Sequence, residues 1–243
     1  CGQPALALTD HGNMFGAVEF YMKAKDYGIK PILGCEVYVA PNGRTDRSAN
    51  SAKAAGFHLV LLARNNAGYK NLLKLVSEGF LTGFHYKPRI DFDLLQNHCE
   101  GLTALSACLA GEVPRAILGQ GMDHAREVVK RHADLFPGHF YLELQSNGIQ
   151  EQFTVNDRLK ELAGDLSLPL VATNDCHYLE STDVQAHEVL LCIQTAATID
   201  DPGRMQFGTD SLYYRSPEEM EREFSDTPEA VANSLRIAEE CDV

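Results

Sequence analysis

The sequence predicts an α/β protein built from successive β/α units, and three observations carry that prediction. Short apolar runs of strand length alternate with longer segments of helical period through most of the 243 residues. Two of those runs, ALALTDHGN at 5–13 and LPLVATNDCH at 168–177, break abruptly into acids and imidazoles. In parallel β/α folds the ligand site lies at the carboxyl ends of the strands, so polar endings far apart in the chain are expected to meet at one mouth. A chain of this size also buries roughly 70% of its extended surface, enough for one large core.

Taken in order, ALAL (5–8) reads as a strand and GAVEFYMKAKDYG (16–28) as a helix, followed by a strand at PILGCEVYVA (31–40). Residues 41–57, PNGRTDRSANSAKAAGF, have no period and are rich in Ser, Asn, Ala and Gly, which predicts a mobile loop beside the site. HLVLLARN (58–65) is the next strand and NAGYKNLLKLVSEGF (66–80) the next helix. YKPRID (86–91) is irregular and carries Lys87 and Arg89. Strands at LTALSA, FYLELQ and PLVATND then alternate with helices over 113–136, 150–166 and 183–195, for six strands in all. From about residue 200 the pattern changes. Ser216 is placed to cap a helix, Pro217 suits its first position, and Glu219 completes a capping box. A second helix is expected from Thr227 and Pro228. The organisation predicted is a barrel-like domain over 1–199 and a helical connecting segment over 200–243. Both ends read as cut from a longer chain.

Composition limits the partners. No apolar span reaches membrane-crossing length and no signal peptide is evident, so a cytoplasmic protein without a membrane partner is expected. Seven scattered cysteines without a CxxC pair argue for reduced thiols. Twenty-one basic against 34 acidic residues give a net charge of −13, which repels a phosphate backbone. Phosphate chemistry here requires a local positive centre, and bound metal supplies one.

The polar residues at strand edges are His11, Glu36, His58, Cys108, Asp175 and His177. Imidazole, carboxylate and thiolate together suit zinc, manganese or iron. Each residue also has a plainer reading. His58 begins its strand rather than ending it, as a structural histidine does; Cys108 has the size of a small buried hydrophobe. Asp10 is placed to cap a helix, and Glu36 reads equally as a solvated alternate-face residue. The D-x-H of Asp175 and His177 is the stronger signal, because period 2 along a strand puts both side chains on one face.

The strings TDHGNMFGAVEFY, KPILGCEVYVAP, HLVLLARNNAGYKNLLKL, YKPRID, LSACLAGEVP, FYLELQ and ATNDCHYL resemble the polymerase and histidinol phosphatase (PHP) family. The likeness covers essentially the whole chain. It lies in the branch that opens bacterial DNA polymerase III alpha subunits, because GTDSLYYRSPEEMEREF and PEAVANSLRIAEECDV are similar to the segment joining that domain to the polymerase body. The resemblance implies a distorted, seven-stranded β/α barrel and a cluster of divalent metals, zinc foremost, with His11, Glu36, His58, Cys108, Asp175 and His177 as ligands. Many relatives have histidine where this chain has Cys108. Glu36 and Asp175 are implied as catalytic, and Asp10 as orienting a histidine or a water. Metals about 3.5–4 Å apart, with Glu36 spanning two of them, would polarise a phosphodiester. Lys87 and Arg89, or the loop arginines Arg44 and Arg47, are the candidate phosphate contacts. The family's opening H-x-H strand has no match here, so a missing first strand and partial metal occupancy are expected. The resemblance further implies DNA, a proofreading exonuclease subunit and other replisome subunits as partners, 3′-to-5′ exonuclease activity, and magnesium at a separate polymerase site. Its alternative is a non-catalytic scaffold that stabilises the polymerase and binds the proofreading subunit.

Overall fold

The computed structural model describes residues 2–51 and 54–243; within the expected mobile loop over 41–57, residues 52 and 53 lie outside it. Seven strands, β1 (Ala5–Leu8), β2 (Lys30–Val39), β3 (Phe57–Ala63), β4 (Arg89–Ile90), β5 (Leu102–Leu105), β6 (Phe140–Gln145) and β7 (Leu170–Thr173), form one sheet curled into a half-barrel. The order is β1-β2-β3-β5-β6-β7, with β4 lying on β2. The helices are α1 (Ala17–Asp26), α2 (Asn66–Leu81), α3 (Phe92–Asn97), α4 (Glu112–Gly119), α5 (Met122–Leu135), α6 (Gln150–Leu166), α7 (Val184–Thr195), α8 (Pro217–Glu223) and α9 (Pro228–Glu240).

The parallel scheme breaks at β3. It runs antiparallel to both β2 and β5, whereas β1–β2, β5–β6 and β6–β7 are parallel. Among the described residues no helix stands between β2 and β3 to carry the chain back over the sheet, so the chain returns through the 41–57 loop in the opposite sense. The start of β3 therefore lies at the same end of the sheet as the finish of its neighbours. This accounts for His58, which looked misplaced when every strand was taken as parallel.

Four further details differ from the sequence reading. The YKPRID stretch contributes β4, whose Arg89 and Ile90 pair with Tyr38 and Val39. The segment 113–136 is two helices rather than one, broken where Gly121 takes φ +90°, a conformation costly for any residue with a Cβ. The short helix α3 is capped by Asp91, whose carboxylate accepts from Leu94 N–H at 3.0 Å. The loop after β2 is held at Arg44, Asp46 and Ala55. The buried Arg89 guanidinium donates to the carbonyls of Gly83 (3.0 Å), Ala55 (3.3 Å), Arg44 (3.0 Å) and Asp46 (2.6 Å), while Arg44 pairs with Asp91 at 2.9 Å.

The tail forms as its capping signals imply. Ser216 Oγ accepts from Glu219 N–H at 3.2 Å and Glu219 Oε2 accepts from Ser216 N–H at 2.8 Å. Beyond residue 199 the tail packs against the sheet and its helices. Phe224 and Ala230 join the main core with Leu61, Leu142 and Leu159, and Ile237, Ala238 and Cys241 pack with Ile32, Val60 and Tyr141. Asn233 donates to the Leu170 carbonyl at 2.8 Å, which fixes α9 along β7. Burying Phe224 and Ile237 contributes about 1.5–3 kcal/mol each. No helix among the described residues is long and apolar enough to cross a membrane.

Candidate metal centre

Strand register builds the first half of the site. β2 outruns β1: only Lys30–Leu33 pair with β1, and beyond that point the chain of residues 10–12 keeps alongside, with Glu36 N–H donating to Asp10 C=O (3.1 Å) and Gly12 N–H to Glu36 C=O (2.9 Å). This puts His11 directly beside Glu36, a residue in the middle of its strand. From the other side the antiparallel register opposes His58 to Tyr38. Gly12 lies at φ +66° with its α-carbon against Tyr38 and Pro88, where a Cβ would come within 2.9 Å of both side chains. The result is a triad in which one ligand atom each of His11, Glu36 and His58 lies within 4.8 Å of the others. His11 Nδ1 is 3.5 Å from Glu36 Oε1, and His58 Nδ1 is closer still to the same oxygen.

That oxygen is shut off from solvent and has no hydrogen-bond partner of ordinary geometry. Burial pushes the Glu36 carboxyl up, but the His58 imidazole against it, with His11 and His177 behind, outweighs burial and holds it below the usual carboxylate value. His11 keeps 47% of its side chain open, yet desolvation by the concave wall still lowers its pKa. The Tyr38 ring stacks on His11 at 6.1 Å, meets His58 edge-on at 5.1 Å, and has its phenol pushed up to about 12, chiefly by burial.

The second half stands on loops. Cys108 lies three residues past β5 and faces the triad, its Sγ 3.5 Å from His58 Nδ1. Burial, then Glu36 and Asp175, drive its thiol well above the ordinary value. Asp175 and His177 lie outside the 4.8 Å triad, and they do not share a strand face: β7 ends at Thr173 and Asp175 is left-handed at φ +52°. The ring of His177 instead folds back, Nδ1 donating to the Asp175 carbonyl at 2.8 Å, which puts the neutral ring's lone pair on Nε2. Burial is the main cause that raises the Asp175 carboxyl, with Glu36 adding to it.

The remaining candidates divide. Asp10 acts through its main chain, accepting from Glu36 N–H and from Cys35 Sγ (3.3 Å), and it does not cap α1, whose N-cap is Gly16. Arg89 and Arg44 have their guanidinium groups committed to the loop, as described, and Arg47 donates to the Thr82 carbonyl at 3.0 Å. Lys87 lies at the mouth, its Nζ 5.5 Å from the centre of the Tyr38 ring.

Sequence reading passed over Glu143 and Arg215, and gave Asn174 no task. Glu143 on β6 is buried under the mouth, and desolvation raises its carboxyl to about 7. Asn174 donates to the Tyr213 carbonyl, and Arg215 donates to the carbonyl of Ser146 and to Asn174 Oδ1 (3.4 Å). His177 N–H donates to Leu212 C=O at 2.8 Å, so the tail holds the loop that carries Asp175 and His177. The one available sequence signal for Glu143 is an acid inside the otherwise apolar FYLEL run.

The donors fit a divalent ion. Two imidazoles converge on an orphaned buried carboxylate oxygen, a thiol adjoins them, and Glu36, Asp175 and Glu143 crowd negative charge that a cation relieves.

The DNA polymerase III alpha subunits of Thermus aquaticus, Treponema pallidum and Borreliella burgdorferi are 48%, 46% and 45% identical to the chain over 99–100% of its length. The chain spans about a fifth of the length of these relatives. Over residues 1–147, which carry the His11–Glu36–His58 triad, Cys108 and Glu143, the sequence matches the family model of the PHP domain, and the chain belongs to that family.

Proposed function

We propose that this chain is the PHP domain of a DNA polymerase III alpha subunit and acts as a divalent-metal-dependent phosphoesterase on nucleic-acid ends. The observation that carries the reading is the convergence of His11, Glu36 and His58 on one buried oxygen at the mouth. His11, Glu36, His58, Cys108, Asp175 and His177 would hold the metals, zinc foremost because a thiolate joins the imidazoles. When bound, the ions would supply Lewis-acid polarisation of a phosphoryl oxygen.

The chain's own groups have distinct tasks. Glu36 Oε1, set between two imidazoles, is the carboxylate oxygen placed to be shared. The Asp175 carbonyl orients the His177 ring and presents Nε2. Asp175, whose carboxyl burial raises when no cation is near, would be held ionised by a bound cation and would join Glu36 in its ligand set. Lys87, beside the Tyr38 ring at the mouth, is a cation for a phosphate oxygen, whereas Arg89 has its donors spent on carbonyls.

On this reading the protein is cytoplasmic and works on DNA, with the proofreading exonuclease and other replisome subunits as partners. Magnesium-dependent nucleotide addition would belong to the part of such subunits that this chain does not match. The test is metal analysis of the purified protein, followed by 3′-to-5′ shortening of a primed DNA strand with zinc, manganese or iron restored. Metal-dependent shortening that Glu36→Gln abolishes is the expected result. Absence of bound metal overturns the reading, and tight metal binding without turnover replaces it with the scaffold.

A further inference from the structure

We propose that Glu143 is a positioning residue for the metal centre: from beneath the mouth its carboxylate fixes the turn that presents Cys108 to the strand end that presents Asp175. The inference rests on the reading that those two residues are ligands.

Glu143 lies on β6, the sheet neighbour of both β5 and β7. Its Oε2 accepts from the Ala107 N–H at 2.9 Å, its Oε1 accepts from the Thr173 hydroxyl and from Gln145 Nε2 (3.2 Å), and its own N–H donates to Ser106 Oγ at 2.8 Å. One buried side chain thus spans three strands. What it holds is strained. Ala107 lies at φ +62°, a left-handed conformation strained for an L-residue, and this step turns Cys108 towards His58. Thr173 is the last residue of β7, two before the left-handed Asp175. Ala107 lies beyond the last paired residue of β5 and Thr173 is the last paired residue of β7, so the carboxylate ties the two together just where their ladders end.

An ionised carboxylate only accepts hydrogen bonds, which suits three converging donors. A glutamine at this position can keep the geometry: its oxygen accepts from Ala107, its amide donates to the Thr173 hydroxyl, and the Gln145 amide turns to offer its buried, unpartnered Oε1. A leucine cannot. The glutamine variant therefore separates a positional role from one that needs the negative charge.

The test is cobalt(II) titration of the purified, metal-free protein, reading affinity and the thiolate-to-cobalt charge-transfer band that reports Cys108, with melting followed in parallel. Glu143→Leu is expected to weaken cobalt binding by about 10–100-fold and Thr173→Val by about tenfold, both with a dimmed band, while Glu143→Gln stays within about threefold of wild type. Leucine and valine variants that bind as wild type does would overturn the proposal, and so would a glutamine variant as damaged as the leucine one. If Glu143→Leu fails to fold, Thr173→Val, which loses one bond, decides. A wild-type protein that binds cobalt without a thiolate band refutes Cys108 as a ligand and removes the inference with it.

Discussion

The two halves of the mouth are held in place by different means. His11, Glu36 and His58 stand on or beside β2 and β3, and their positions follow from backbone register: Glu36 pairs with Val60, Tyr38 with His58, and the main chain of Glu36 bonds on both sides of His11. Cys108, Asp175 and His177 stand past the ends of β5 and β7, and side chains hold them there: Glu143 from below, and Asn174 in the loop itself through its bonds to Tyr213 and Arg215 of the tail. Register fixes a ligand cheaply, because every ladder bond is formed whatever the side chain. Loop ligands depend on a few buried polar groups whose loss leaves partners unsatisfied. The difference predicts that the triad tolerates change around it and the loop half does not.

The largest expected effect comes from the tail. Shortening the chain to residues 1–199 removes Phe224, Ala230, Ile237 and Ala238 from the two cores and strips the bonds behind His177. Circular dichroism should show no cooperative melting for the shortened chain. A sharp transition with retained metal binding would show that the loop half stands without its tail. Next is the triad's centre. Glu36→Gln keeps the shape and removes the shared anion, so metal affinity should fall by more than about 100-fold, beyond the range for outer contacts, with melting of the metal-free protein little changed; calorimetric titration measures the first and circular dichroism the second.

The smallest effect is in pH, and it has opposite signs in the two carboxylates. Glu36 is held below its ordinary value, so its contribution to stability is present above roughly pH 4.3 and disappears as pH falls through the lower, folded value. Glu143 is raised to about 7, so its contribution is complete below roughly pH 4.3 and is lost as pH rises through about 7. Asp175, also raised, acts in the same direction as Glu143. In the metal-free protein these two carboxyls should therefore lower stability from pH 5 to 8, against the rise contributed by His11, whose pKa is lowered, and melting of Glu143→Gln should fall less, or rise more, with pH than that of wild type. An unchanged slope in the variant would show that Glu143 does not titrate as its burial implies.

The same contrast governs what the sequence disclosed. Apolar runs located six strands because burial on a sheet leaves a compositional mark, and the polar endings at His11 and Asp175 marked the mouth. Strand direction left none. HLVLLARN reads identically whichever way it runs, and only the absence of a helix before it pointed to the reversal. The two-residue β4 is too short to have a period. Arg89 looked like a phosphate ligand because nothing in YKPRID reveals that four carbonyls surround it. Glu143 and Arg215 were passed over for a related reason: their importance lies in bonds to residues distant in sequence.

The reversal of β3 also bears on the order in which the site is assembled. Because β2 and β3 pair through a single loop, Glu36 and His58 meet by closing a short stretch of chain, whereas Asp175 reaches them only after β5, β6 and β7 have been added in turn. Contacts local in sequence cost less chain entropy and form sooner. A nascent chain would thus possess an imidazole–carboxylate pair able to capture a cation well before the thiol and the second acid arrive, and a cation taken up early would draw the later strands towards it.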